Sequence, residues 1–226
     1  MPTSRFERFL PLSGVLAGLC FAAMPILTIG MPTVTDKDPQ AYVQWIGDHQ
    51  TAVAASGFAA GLFCVTMLLF ASGLRQALRS GEPGESTYSS AAFAGGVSVA
   101  LTVALMGWVS LASTEAADKG NAVAVTTIGY LSDFGWIPWV AGSAVLFLAT
   151  GLGGLRTAAL PKPLAVATVV LGVLCLLGPT GIAVYLLTPV WLVVTGIVLR
   201  RRIAAASAAV RSARGDAAAV SPPAPA

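Results

Sequence analysis

Polar and apolar positions along this chain alternate on the scale of whole segments. Four runs, Leu10 to Gly30, Thr51 to Leu74, Ser90 to Ser113 and Phe134 to Leu155, contain no Lys, Arg, Asp, Glu or His. Each matches the length of about 20 residues that a helix needs to cross a hydrocarbon core of about 30 Å. A fifth apolar stretch, Leu164 to Leu199, is too long for one crossing, because as a single helix it would extend about 54 Å. Gly178, Pro179, Thr180 and Gly181 form a turn signal near its middle and divide it into two helices. The pattern predicts an all-α polytopic membrane protein, a six-transmembrane-helix bundle with spans near 10–30, 51–74, 90–113, 134–155, 164–178 and 182–199.

Charge tests that count, because Lys and Arg in short loops collect on the cytoplasmic side. Six spans place Arg5, Arg8, Arg75, Arg79, Arg156, Lys162, Arg200, Arg201, Arg202, Arg211 and Arg214 on one side, and only Lys37 and Lys119 on the other. Reading 164–199 as one crossing would put Arg200 to Arg202 outside. The expected location is therefore the cytoplasmic (inner) cell membrane, multi-pass, with both termini cytoplasmic. Composition agrees: 56% of residues are hydrophobic and 10% charged, with a mean hydropathy of +0.79, against about 25% charged residues in soluble domains. The partner this implies is the lipid bilayer, not nucleic acid.

The first run is longer than the 7 to 15 apolar residues, roughly, of a secretory signal. Leu19 separates Gly18 from Cys20, which breaks the lipoprotein pattern. The spans make up 1–202, and the Ala/Pro-rich remainder, 203–226, reads as a disordered cytoplasmic tail with too little large apolar surface to fold alone.

Chemistry-bearing residues are few. Cys20, Cys64 and Cys175 fall in different spans without paired spacing, and His49 is the single histidine, so neither a metal site nor a cofactor is expected. The spans carry no charge of the kind that marks ion or proton pathways. Gly14 with Gly18 and Gly57 with Gly61 put pairs of small residues on one helix face, which suits bundle packing or a dimerisation face. Pro25 and Pro189 interrupt their helices.

Two loops on the outer side hold the polar and aromatic residues. In the first, Asp38 is a suitable N-cap and Pro39 a suitable first residue for a short interfacial helix. That helix would present Tyr42, Trp45 and Ile46 on one face, in the interface or over the bundle. In the second, 121–131 is moderately apolar, and Ser132 and Asp133 precede the fourth span as its cap. Trp136 and Trp139 then suit an aromatic belt or a ligand contact. The outer-face candidates for ligand binding are Trp45, Asp48, His49, Glu115, Asp133, Trp136 and Trp139. A shared site for Asp48, His49, Glu115, Asp118 and Asp133 would allow metal binding or acid–base work, although no paired spacing supports it.

The Ala- and Gly-rich layout, with Trp191, Leu192, Val193, Val194, Thr195 and Gly196 ahead of the basic stop at Arg200 to Arg202, resembles small six-span integral membrane proteins of high-GC bacteria. That resemblance concerns layout and implies membrane location, not an activity. The sequence supports first a non-enzymatic accessory or structural membrane component, beside a membrane protein partner or as a homo-oligomer. It supports second an outward-facing binding or permeation module for a small hydrophobic molecule or lipid, and third a membrane-embedded enzyme using outer-side carboxylates.

Overall fold

The computed structural model describes residues 10–34, 39–84, 87–177 and 180–220. These residues form eight helices and no strand: α1 (Leu12–Leu27), α2 (Pro39–Asp48), α3 (Gln50–Arg79), α4 (Thr87–Asp118), α5 (Ala122–Asp133), α6 (Trp136–Thr157), α7 (Lys162–Leu176) and α8 (Gly181–Val220). By length and composition, four stretches can cross a membrane: Gln50–Arg79, Thr87–Asp118, Ala122–Thr157, which comprises α5 and α6, and Gly181–Ala205. Leu12–Leu27 and Lys162–Leu176 are equally apolar but shorter.

Six of the helices form a ring in chain order, α1 against α3, α3 against α4, α4 against α6, α6 against α7, and α8 closing on α1. Ring neighbours run antiparallel, as where Gly14 meets Phe70 and, further along α1, Phe21 meets Phe63. Glycine sets the approach at most seams. A Cβ on Gly57 would lie 2.9 Å from the Gly107 carbonyl oxygen, and one on Gly107 would lie 2.9 Å from that of Gly57, at the α3–α4 crossing. Gly95 and Gly142 serve α4–α6, Gly151 and Gly172 serve α6–α7, and Gly14, Gly18 and Gly196 serve α1–α8. The Gly14 and Gly18 face is thus covered by α8 within the chain, and Gly61 meets nothing within 4 Å.

Inside the ring the core is aromatic. Phe70 and Phe147 meet the Trp191 ring edge-on at 5.9 Å and 4.8 Å, and Phe21 packs with Phe63 at 5.2 Å. Outside, large apolar residues recur at helical spacing, including Val166, Val170 and Val173 on α7 and Ile182, Leu186, Val190, Val194 and Ile197 on α8, all exposed. Soluble monomers rarely display contiguous apolar surface on this scale, whereas lipid covers it without penalty. The last helix, α8, continues past Arg202 to Val220, and alanine, the strongest helix former, dominates this extension.

The two ends of the ring differ. At one, Arg75 lies over the Phe93 ring at 5.4 Å and Arg156 over the Tyr88 ring at 5.0 Å. There too Arg79 donates to the Gly84 carbonyl at 2.8 Å and Arg202 donates to that of Ala158, the residue that ends α6 in a left-handed conformation. At the other end α2 and α5 pack on α4 and on each other as a cap.

Candidate functional site

The cap is built from the short amphipathic helix that the sequence predicts. Pro39 opens α2, while Asp38 lies outside the described residues. Tyr42 and Ile46 are buried and join Val34, Val53 and Val125 in a small second core, with Trp45 packed against its edge. Asn121 caps α5 by accepting from the Ala124 amide at 3.1 Å. Gly129 of α5 is where the two cap helices touch, since a Cβ there would collide with Val34 and lie 2.8 Å from the Tyr42 ring.

Beneath this cap is a cavity of about 330 Å³, within the range of small-molecule sites, about 300 to 1,000 Å³. Its floor is an aromatic cluster in which Phe21 lies 4.8 Å from Tyr185 and 6.2 Å from Trp139, and Trp139 meets Tyr185 edge-on at 5.4 Å. Met24 and Pro25 of α1, Ala60 of α3, and Val103 and Met106 of α4 form apolar walls, and Tyr42 and Ile46 form the roof. Pro25 cannot donate to the Phe21 carbonyl, so the first helix is loosened beside the cavity. Two lining residues, Met31 and Trp136, are 40% and 54% exposed and mark where the cavity reaches the surface.

Hydroxyl groups recur along this lining, from Thr28, Ser56, Thr102, Ser110, Ser113 and Ser132. The Tyr42 and Ser113 hydroxyls both belong to it, and Ser113 Oγ donates to the Val109 carbonyl at 3.2 Å. Burial pushes the Tyr42 phenol above its ordinary pKa, the Asp133 charge adds to the rise, and the Ser113 contact opposes it. Asp133 Oδ2 and the Trp139 indole nitrogen are both buried without a hydrogen-bond partner. An unmet buried donor or acceptor costs about 1 to 3 kcal/mol, and both atoms are closed off from the cavity itself. The lining contains Asp133 as its one carboxylate and no Lys, Arg, His or Cys.

Of the sequence candidates, the structure brings Asp133, Trp136 and Trp139 together at the cavity. It leaves the others outside. Trp45 stacks on the exposed His49 ring at 4.3 Å and 8°, and its carbonyl lies 2.9 Å from His49 Nδ1. Asp48 and Asp118 are exposed, and Glu115 pairs with Lys119 at 2.7 Å on the surface. Among the described residues no three His, Cys, Asp or Glu side chains are placed to hold a metal ion.

Two expectations need correction. Trp139 does not belong to a surface belt, because it is 5% exposed and packs inside the ring. Ser132 and Asp133 do not cap the fourth apolar run: they end α5, and α6 starts after Gly135, which supplies no side-chain cap. Released from that role, Asp133 joins the cavity wall. Sequence reasoning missed Phe21, Thr102, Ser113 and Tyr185 as site residues. Phe21 and Tyr185 lie far apart in the chain, and no spacing signal connects them.

Comparison of the chain with known protein families, with curated proteins and with solved structures finds no match.

Proposed function

We propose that the chain is a six-span protein of the cytoplasmic membrane, with both termini inside, that binds a small, largely apolar molecule in an outward-facing pocket. The topology is supported by the described basic residues: Arg75, Arg79, Arg156, Lys162 and Arg200 to Arg202 belong to the end opposite the cap, and Lys119 belongs to the capped end. α1 and α7 complete the six crossings as short spans, which a locally thinned bilayer accommodates at modest cost.

The binding function rests on one observation, the cavity under α2 and α5 with its aromatic floor, its apolar walls and Asp133 in its lining. This favours the binding module over the accessory component that the sequence alone placed first.

Extraction in native lipid particles followed by mass spectrometry tests the proposal. A specific small molecule at equal stoichiometry, lost when Thr102 is replaced by Phe to fill the cavity, is the expected result. A stoichiometric protein partner with no bound small molecule would restore the accessory reading.

A further inference from the structure

We infer that the ligand of this cavity is a lipophilic ammonium ion, held by Asp133 and by aromatic faces. The inference rests on the proposed binding function and adds the chemical class. Its first support is charge. Asp133 is the one carboxylic acid in the lining, and the described lining residues include no basic side chain. A carboxylate beside an apolar wall attracts a cation more strongly than it would in bulk water. Among the described lining residues none supplies a positive charge, so a bound cation would form the ion pair.

The second support is the wall material. Phe21, Tyr42, Trp136, Trp139 and Tyr185 all line the same space, and aromatic faces attract cations through their quadrupole, Trp most strongly. A carboxylate surrounded by aromatic rings suits an ammonium group bearing apolar substituents: the charge meets Asp133 and the rings, and the substituents fill the space between Met24, Ala60 and Val103. Anionic amphiphiles would face Asp133 with like charge and are excluded by the same geometry. Neutral molecules of similar shape would gain the apolar contacts but leave the carboxylate unpaired.

The test uses the full chain in a non-ionic maltoside and two probes of the same shape, benzyltrimethylammonium and the uncharged hydrocarbon neopentylbenzene, titrated by calorimetry. The expected result is about tenfold tighter binding of the cation. D133N should bring the two affinities together, and D133E, which keeps the charge, should retain the preference. Equal affinities in the unaltered protein, or a preference that persists in D133N, would overturn the ammonium assignment while leaving the pocket itself standing. Failure of both probes to bind the unaltered, folded protein would overturn the ammonium assignment and the binding function together.

Discussion

The indole nitrogen of Trp191 donates a 2.8 Å hydrogen bond to Thr168 Oγ1, and that hydroxyl donates in turn to the Leu164 carbonyl at 2.7 Å. Trp191 belongs to α8 and Thr168 to α7, the ring neighbours with the least mutual packing. The bond therefore fastens the weakest seam of the ring and fixes the Trp191 ring against Phe70 and Phe147 on the other side.

Replacing Thr168 by Val keeps the shape and removes the acceptor, leaving a buried N–H unpaired. Interhelical hydrogen bonds in membranes are worth about 0.6 kcal/mol on average, up to about 1.7, and the orphaned donor moves the cost toward the upper figure. Thermal unfolding in detergent should show a lower midpoint for T168V and a near-normal one for T168S.

Gly57 and Gly61 are equally spaced candidates in the sequence, yet only Gly57 sits at a helix crossing. Leu at 57 would push directly against the Gly107 carbonyl oxygen and the Leu111 side chain. Overpacking of this kind costs about 1 to 3 kcal/mol or more. Yield and unfolding midpoint should fall for G57L and stay unchanged for G61L, measured side by side.

The roof over the cavity depends on the contact between Gly129 and Tyr42. Val at 129 would collide with Val34 and the Tyr42 ring, lifting α2 from α5 while leaving the ring of long helices alone. Ligand affinity measured by calorimetry should drop about tenfold or more, with a far smaller change in the unfolding midpoint.

Glu115 and His49 should be dispensable. The Lys119 ammonium holds the Glu115 carboxyl below its usual range, so any stabilisation it gives is present above the ordinary carboxylate pKa and fades as the pH falls through the depressed value. Both partners are exposed and water screens the pair. E115A and H49A should match the unaltered protein in ligand affinity, which distinguishes them from D133N.

The long apolar runs made the helices legible in the sequence, because lipid imposes a length and a charge rule that single residues report directly. The break between α7 and α8 was legible for the same reason, while Gly178 and Pro179 of the turn signal lie outside the described residues. Pro39 and the Tyr42, Ile46 face were readable from local helix rules. The cavity was not. It depends on which faces of α1, α4, α6 and α8 turn inward, and in helices that are apolar all round the hydrophobic pattern does not distinguish the core face from the lipid face. Asp133 illustrates the limit: its sequence position before an apolar run suits an N-cap, and only the placement of Gly135 at the start of α6 frees it for the cavity.

The most direct test of an outward-facing pocket is cysteine accessibility in intact cells, in a variant whose Cys20, Cys64 and Cys175 are replaced by Ala. A membrane-impermeant methanethiosulfonate carrying a trimethylammonium group is applied from outside to S110C, in the cavity wall, and to S80C, at the arginine-rich end. The account predicts that S110C reacts in intact cells, that filling the cavity with T102F slows it, and that S80C reacts only after the cells are opened. Labelling of S80C from outside, with S110C protected until the cells are opened, would contradict it.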